Sequence, residues 1–307
     1  MDRLIFHVDV NSAFLSWTSV KRLANGESDL RLIPSVIGGE SGTRSGIVLA
    51  KSIPAKRFHI ETAEPISQAL RKCPSLYVAP PDFTWYKQCS KAFKDICRNY
   101  APSVEEYSID ECFLDMTGTG RIYPDPIKTA YEIKDLIRDS LGFTVNIGIG
   151  PNKLLAKMAG DFEKPDKVHT LWLEEVPDKM WPLGVRDLLW VGKKTEARLT
   201  ANGIRTIGDL AHLGPNSLTQ LVGRKFAAQL HANANGIDDS PVVTEYPEAK
   251  SVSAERTFSR DLTDPKDVDR ALFNVACIVA HRIRRDRFRA SCVSIFVKHA
   301  DFSVVQM

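Results

Sequence analysis

The chain has 307 residues, of which 43% are hydrophobic and 26% are charged, and its formal net charge is +3. This length allows two or more domains, because domains usually run about 100–200 residues, and the composition is that of a globular protein. No stretch approaches the roughly 18 apolar residues of a membrane span, and the start MDRLIFHVDV lacks the pattern of a secretory signal. We therefore expect a cytoplasmic protein.

The six cysteines are scattered along the chain without C-x-x-C spacing, and the seven histidines do not cluster with them. Zinc sites usually show such spacing, so this pattern favours reduced and mostly buried thiols. The small net charge says little about nucleic acid, because binding depends on how charge is distributed over the surface.

The first hundred residues alternate short strands with helices. An apolar run at 4–10 predicts a strand, which Asp9 interrupts near its end. A second strand is predicted at 45–51. Helical spacing follows at 64–73, and a further helix fills much of 82–99.

A hairpin, a helix, a strand and another helix are predicted next. The sequence at 107–117 favours two strands that meet at a turn. A helix begins at Asp125 and ends at Gly142. Residues 143–150 alternate as a half-buried strand, and Asn152 opens the next helix. On the first of these two helices, four apolar residues can share one face: Ile127, Tyr131, Ile137 and Leu141.

This order of elements predicts an α+β fold, in which an antiparallel or mixed sheet is backed by helices on one face. Residues 184–236 favour a small helical domain, and 237–248 has the acidic, proline-containing composition of a linker. The remainder predicts a strand at 251–258, a helix at 265–287 and a strand at 292–297.

Three carboxylates stand where apolar strands are expected. Asp110 and Glu111 are adjacent in the predicted hairpin, and Asp9 ends the first strand. Adjacent carboxylates repel each other and need a counter-charge, which Mg²⁺ supplies through hard oxygen ligands. If the three converge at one sheet edge, they can hold two metal ions for a phosphoryl transfer. The alternative is a solvated turn and a capped strand end.

Three motifs lie in register along the chain: HVDVNSAFLSW at 7–17, YSIDECFLDMT at 107–117 and NIGIGPNKLLAKMAGDFEKPD at 146–166. Together they resemble the Y-family DNA polymerases of the DinB (DNA polymerase IV) type. The resemblance implies a right-hand polymerase with a ferredoxin-like palm, small fingers, a helical thumb with a helix–hairpin–helix, and a partial α/β little finger. The implied boundaries are palm 1–17 and 77–170, fingers 18–76, thumb 171–236, linker 237–248 and little finger 249–307.

The resemblance also implies a template-directed DNA polymerase that extends a primer 3′ end with two Mg²⁺ ions, in error-prone lesion bypass. Asp9, Asp110 and Glu111 are the implied catalytic and metal-binding carboxylates, and the backbone carbonyl of Val10 completes one ion's shell. Asp9 and Asp110 would bridge both ions. Phe14 is similar to the family's steric gate, an aromatic ring under the incoming sugar; without the resemblance it would be a core aromatic.

The nucleotide triphosphate is expected to meet basic residues in two segments. Lys56 matches the family's basic phosphate ligand, and Lys164 matches its palm lysine. Ala50 and Ile53 stand where many members carry Thr and Tyr, so Ser52 is a candidate to replace their hydrogen bonds. The remaining lysines of the third motif, Lys153 and Lys157, are expected to be surface or DNA-proximal charges.

DNA contacts are implied in the thumb and the last domain. The segment 188–210 resembles a helix–hairpin–helix, in which backbone N–H groups meet a DNA phosphate. Trp190 departs from the usual glycine of its turn. The implied DNA-binding residues are Val191, Gly192 and Lys193 in the hairpin, and Arg282, Arg285 and Arg289 in the arginine-rich segment near the end.

The implied partners are primer–template DNA and deoxynucleoside triphosphates, bound by a monomer. We expect an incomplete little finger, because relatives continue beyond this sequence. A sliding clamp is expected to bind the full-length protein, although no clamp-binding peptide is present here. Two rival functions remain open at this point, a non-catalytic DNA-binding adaptor and a nucleotide cyclase, and so does the choice between the DinB branch and a neighbouring branch such as UmuC.

Overall fold

The structure is a computed structural model that describes residues 3–39, 46–245 and 248–307. Residue 45 of the predicted strand 45–51 and residues 246–247 of the predicted linker lie outside the described residues. The strands are β1 (Ile5–Val10), β2 (Ser35–Gly38), β3 (Val48–Lys51), β4 (Tyr77–Ala79), β5 (Ser103–Glu105), β6 (Glu111–Asp115), β7 (Val145–Gly150), β8 (Val168–Thr170), β9 (Phe296–Lys298) and β10 (Val304–Gln306).

The helices follow the predicted order closely. They are α1 (Ala13–Ala24), α2 (Ile53–Lys56), α3 (Ile66–Lys72), α4 (Phe83–Arg98), α5 (Pro126–Leu141), α6 (Lys153–Asp161), α7 (Lys193–Thr200), α8 (Ile207–His212), α9 (Pro215–Val222), α10 (Arg224–Ala234) and α11 (Pro265–Arg285). The described residues form two units. One contains β1, β5–β8, α1 and α4–α10, and the other contains β2–β4, α3, α11, β9 and β10.

A five-stranded sheet organises the first unit, in the order β5-β6-β1-β7-β8. Its pairs are antiparallel except for β7 and β8, which run parallel, so the predicted mixed sheet is confirmed. Every residue of β1 and of β7 is buried. Central strands buried on both faces read as continuous apolar runs, which explains the run at 4–10. The prediction that 143–150 is only half-buried is wrong, because its alternate positions, Asn146, Gly148 and Gly150, are buried beneath α6.

Helices cover both faces of this sheet, so the prediction of helices on one face is wrong. On one face, α1, α4 and α5 pack against the sheet in a core that includes Phe6, Val8, Trp17, Tyr86, Phe93, Leu114, Ile133, Ile137 and Ile147. On the other face, Ala156 of α6 packs with Ile5 and Phe113. This second layer is possible because Gly148 has no side chain: a Cβ there would lie 1.9 Å from the Ala156 carbonyl oxygen.

Helix α5 begins and ends where the sequence predicts. The Asp125 side chain accepts hydrogen bonds from the first free N–H groups of the helix, and Gly142 ends it with φ of +76°. The predicted apolar face is right at its C-terminal end, where Ile137 is buried and Leu141 packs against the core, but wrong at Ile127 and Tyr131, which are each 45% exposed. The buried stripe reaches Ile137 through Ala130 and Ile133 instead.

Two further hydrophobic cores lie outside the five-stranded sheet. In the first unit, α7–α10 enclose a helical core that includes Leu199, Ile207, Leu210, Leu218 and Leu230. In the second unit, the three-stranded sheet β3-β2-β4 packs with α3 around Val36, Val48, Ile60 and Ile66.

The segment 249–307 contains no buried residue. Its long helix α11 is confirmed, but 251–258 forms no strand. The predicted strand 292–297 starts late: β9 begins at Phe296, opposite Gln306, and only Ile295 before it exchanges backbone hydrogen bonds, with Met307. The apolar alternation at 292–297 lies mostly in solvent, with Val293 83% exposed.

Candidate active site

Carboxylates from two distant parts of the chain meet on the face of the sheet that α6 covers. In the antiparallel ladders, Asp9 lies opposite Glu111 on one side and opposite Asn146 on the other. Residues paired in this way lie about 4.5–5.5 Å apart at Cα and point to the same face. The Val10 N–H donates to the Asp110 carbonyl at 3.0 Å, which places the turn before β6 beside the end of β1.

The turn that carries Asp110 is held by Ser108. The Ser108 hydroxyl donates to Oδ1 of Asp110 at 2.7 Å and accepts the N–H of Glu111 at 3.1 Å. The Ser108 N–H donates in turn to the Glu111 carbonyl at 3.2 Å. Ser108 therefore orients both the Asp110 carboxylate and the backbone of Glu111.

Glu111 is paired with a lysine that the sequence prediction placed at the surface. Lys157 Nζ lies 2.9 Å from Oε1 of Glu111, and the Lys157 side chain is only 12% exposed. His7, buried in β1, places Nε2 3.6 Å from the other carboxylate oxygen, which is too long for a hydrogen bond. Burial alone would raise the pKa of Glu111, but the neighbouring His7 and the Lys157 charge lower that pKa to about 2.

Asp9 is paired with Lys164. Lys164 Nζ donates to Oδ2 of Asp9 and also lies 2.7 Å from Asp161. Burial raises the pKa of Asp9, and the Lys164 charge opposes this. Burial would lower the pKa of Lys164, but the Asp9 carboxylate more than compensates and raises it. The ammonium form of Lys164 is therefore stabilised beside Asp9.

Two buried asparagines place the Lys164 loop, and the sequence analysis missed both. Asn146 donates to the carbonyls of Gly160 at 3.1 Å and Glu163 at 2.6 Å. Asn11 donates to Asn146 at 3.0 Å and accepts the N–H of Asp166 at 3.0 Å. For Asn146 the signal was a polar residue inside an apolar strand, because a buried amide needs partners; Asn11 follows directly after the apolar strand β1.

Phe14 lies in α1 within a cluster of aromatic rings and is partly exposed. Its ring stacks on Tyr86 at 4.8 Å and 15°, and meets the ring of Phe83 edge-on at 5.8 Å. The Tyr86 hydroxyl is 2.7 Å from the Thr18 hydroxyl, which fixes the stacking partner. The cluster holds the Phe14 ring in one orientation, close in sequence to β1, the strand that carries Asp9.

Lys56 and Ser52, the other predicted nucleotide ligands, differ in the solvent exposure of their side chains. Lys56 is exposed at the end of α2. Ser52 is 1% exposed and donates its hydroxyl proton to the Ile33 carbonyl at 2.7 Å. Ala50 is buried, whereas Ile53 is 53% exposed.

The predicted thumb hairpin has a tight turn before α7. Trp190 is 63% exposed and has φ of +74°, so it adopts the left-handed conformation that a glycine favours. Val191 is buried, Gly192 is the N-cap of α7, and Lys193 stands in its first turn. The backbone turn therefore forms even though tryptophan replaces the expected glycine.

The three predicted arginines near the end lie on exposed surface. Arg282 donates to the Ser253 carbonyl at 2.5 Å, and Arg285 forms two hydrogen bonds with Asp286 at 2.7 and 2.8 Å. Arg289 follows α11 and is exposed. Two of the three are thus engaged by local acceptors.

The donor set fits a hard divalent cation, because Asp9, Asp110 and Glu111 offer carboxylate oxygens. Among residues 3–39, 46–245 and 248–307, however, no three His, Cys, Asp or Glu side chains are already arranged as a metal site. Lys157 and Lys164 instead supply the positive charge beside Glu111 and Asp9. The backbone already brings together the two strands that carry Asp9 and Glu111.

Sequence comparisons identify the family. The profile of the impB/mucB/samB family matches residues 8–161, that family's C-terminal domain matches 249–306, and the DNA polymerase-iota thumb domain matches 186–238. DNA polymerase IV of Clostridium acetobutylicum is 44% identical over 308 residues, covering 98% of this chain and 76% of that protein. The chain belongs to the DNA polymerase IV family of Y-family DNA polymerases. DNA polymerase IV 1 of Bacillus subtilis is 38% identical over 304 residues, covering 99% of this Y-family chain and 72% of its relative.

Solved structures confirm the predicted right-hand α+β fold of this Y-family chain. The Y-family DNA polymerase chimera of Dbh and Dpo4 superposes with a TM-score of 0.83 at 24% identity, covering 99% of this chain and 86% of the chimera. DinB from Sulfolobus solfataricus gives a TM-score of 0.70 at 22% identity, with the same coverage. Y-family polymerases are metal-dependent nucleotidyltransferases. Within the described ranges, no helix has both the length and the apolar character needed to cross a membrane.

Proposed function

We infer that the chain is a DNA-directed DNA polymerase of the lesion-bypass type, which adds deoxynucleotides to a primer 3′ end. We propose that Asp9, Asp110 and Glu111 are its catalytic carboxylates. The observation that carries the proposal is the pairing of Asp9 with Glu111 across adjacent strands, with the Asp110 turn bonded to Val10. Lysines pair with two of these three carboxylates.

We propose Mg²⁺ as the cofactor, held by Asp9, Asp110, Glu111 and the Val10 carbonyl. When bound, two such ions stabilise the attacking and leaving oxygens of a phosphoryl transfer. The protein's own contribution is to hold the carboxylates on a rigid central strand pair. Lys157 and Lys164 supply positive charge beside Glu111 and Asp9.

Lys164 is proposed to bind the triphosphate, because its ammonium group stands beside Asp9 on a loop fixed by Asn11 and Asn146. Lys56 is proposed as a second phosphate ligand, on the basis of its exposed position and the resemblance. The buried Ser52 hydroxyl already donates to Ile33, so it contributes less to this proposal. Phe14 is proposed to select against ribonucleotides through its partly exposed ring.

DNA contacts are proposed for the hairpin before α7 and for the arginine-rich segment. The backbone from Val191 to Lys193 leads into a helix N-terminus, where N–H groups suit a phosphate. Arg282, Arg285 and Arg289 are exposed, so they can exchange local acceptors for phosphates. Binding through such contacts weakens as salt rises. We further propose that the protein acts in the cytoplasm as a monomer, with a sliding clamp as a partner.

Primer extension tests the proposed function. Purified protein with Mg²⁺, a primer–template and four deoxynucleotides is expected to extend the primer, whereas Asp110→Ala binds the same DNA without extending it. Asp139→Ala is the control, because Asp139 is an exposed acid on α5 that pairs with Arg138. Extension by Asp110→Ala at the parent rate would remove this residue from the site. DNA binding without extension by the parent protein would favour the adaptor function.

A further inference from the structure

Lys94 is a buried lysine that the proposed mechanism has not used. It lies on α4, and its side chain is 3% exposed. Lysines are almost never fully buried unless they are paired. Lys94 Nζ donates to the Ser108 carbonyl at 2.6 Å and lies 3.1 Å from Oε2 of Glu106. Both partners belong to the turn between β5 and β6.

Lys94 is linked to Asp110 through one intervening residue, Ser108. Lys94 holds Ser108 by its carbonyl, and Ser108 holds the Asp110 carboxylate by its hydroxyl at 2.7 Å. The same hydroxyl accepts the Glu111 N–H. Ser108 is itself exposed, so the buried ammonium group is its link to the protein interior. Removing Lys94 would leave Ser108 without this bond to the interior, while Val10 and Arg98 still hold Asp110 and Glu106 at the two ends of the turn.

We propose that Lys94 is a positioning residue for the polymerase reaction: it fixes Ser108, and through Ser108 it holds the Asp110 carboxylate where metal ions are to bind. This inference rests on the proposed function, because it takes Asp110 as a metal ligand. Residues that orient metal ligands typically contribute about 10–100-fold to metal affinity or activity. Lys94 acts through Ser108 and does not itself touch the substrate.

Arg98 provides a matched control on the same helix. It binds the other oxygen of the same carboxylate, with Nη2 2.5 Å from Oε1 of Glu106, and it also pairs with Asp95 at 2.6 Å. Its side chain is 41% exposed, and it makes no contact with the Ser108 carbonyl. Arg98→Met therefore removes a cation from Glu106 but leaves the Lys94–Ser108 bond intact.

The experiment compares Lys94→Met, Lys94→Arg and Arg98→Met in the full chain. Mn²⁺ affinity is measured by electron paramagnetic resonance, and amide hydrogen exchange of residues 106–111 is measured without metal. For Lys94→Met we expect about 10–100-fold weaker Mn²⁺ binding, a similar rise in the Mg²⁺ concentration for half-maximal extension, and faster exchange in the turn. DNA affinity stays unchanged. Lys94→Arg should recover part of the loss, and Arg98→Met should behave as the parent.

Parent-like Mn²⁺ affinity and exchange in a folded Lys94→Met would overturn the proposal. Equal losses in Lys94→Met and Arg98→Met would also overturn it, because that result assigns the effect to general stability. If Lys94→Met does not fold, Lys94→Gln replaces it, since it loses the charge but keeps one donor. An inactive parent would contradict the proposed function, whereas hydrogen exchange in the turn would still decide the role of Lys94.

Discussion

A methyl group added at Gly148 should separate α6 from the central sheet. In Gly148→Ala, the new Cβ would lie 1.9 Å from the Ala156 carbonyl oxygen and 2.3 Å from the Gly160 nitrogen. Both atoms belong to the backbone of α6, so no side-chain rotation relieves the clash. Ordinary contact requires at least 3.4 Å. The helix must therefore move by about 1.5 Å, or β7 must bend away from it.

The loss of folding free energy caused by this movement can be estimated from substitutions that overpack other protein cores. Inserting a methyl group into a well-packed core costs typically about 1–3 kcal/mol. Here the clash is between the strand backbone of Gly148 and the helix backbone of α6, and neither can rotate away. We therefore expect a loss of stability at the upper end of this range, about 3 kcal/mol or more. For a unit of this size, that corresponds to a fall in melting temperature of about 6–12 °C.

Thermal unfolding followed by circular dichroism measures the loss directly. Gly120→Ala is the matched control, because a Cβ at Gly120 meets nothing within 4 Å. We expect the control to melt within about 1–2 °C of the parent. Primer extension should also fall in Gly148→Ala, since α6 carries Lys157 and leads into the Lys164 loop. Identical melting of the two alanine variants would refute the close packing of α6 on β7.

Three further predictions test the ion pairs, the aromatic cluster and the thiols. Glu105→Gln should lower stability by about 3 kcal/mol, because the 4%-exposed Glu105 carboxylate binds Lys153 at 2.6 Å and the Val243 N–H at 2.8 Å. Phe14→Ala should raise ribonucleotide incorporation, measured as the ratio of kcat/KM for the two sugars. An Ellman's assay on the folded protein should label only the two exposed thiols, Cys277 and Cys292. Burial raises the pKa of Cys89 to about 12, so its labelling should not increase up to about pH 9.

Each of these predictions has a control within the chain. Asp139→Asn, at a side chain that is 68% exposed, should change stability by no more than about 1 kcal/mol, in contrast to Glu105→Gln. Tyr131→Ala removes an exposed ring on α5 that does not belong to the Phe14 cluster, so its sugar selection should match the parent. Equal selection in Phe14→Ala and the parent would remove Phe14 from the sugar site. Rapid labelling of more than two thiols would contradict the burial of the others.

The elements with strong local signals were predictable from the sequence. The apolar runs that became β1 and β7, and the capped helix α5 with its Gly142 stop, depend on neighbours in sequence. The pairing of Asp9 with Glu111 joins positions far apart in sequence, so it was expected only on the condition that their strands are neighbours, and through the family resemblance. The buried face of α5 was predicted wrongly at Ile127 and Tyr131, since several apolar residues there compete for one stripe.

The contacts that orient the candidate site could not be predicted in the same way. Asn11 and Asn146 hold the Lys164 loop through bonds that join residues far apart in sequence. Lys94 reaches Ser108 across fourteen positions, and nothing in a single lysine on a helix indicates that it is buried. Such contacts depend on the assembled sheet, and hydrophobic periodicity carries no information about them.

Helix α6 shows why two lysines that look like surface charges form ion pairs with the sheet. Lys153 and Lys157 are four positions apart, so they lie on one side of the helix. Gly148 lets that helix approach the sheet closely, and the two ammonium groups then pair with Glu105 of β5 and Glu111 of β6. One pair fixes the segment around Val243 and the other neutralises a proposed metal ligand. Spacing alone suggests a surface position for Lys157. Because Gly148 on the facing strand lets α6 approach closely, Lys157 instead forms an ion pair with Glu111 in which its side chain is only 12% exposed.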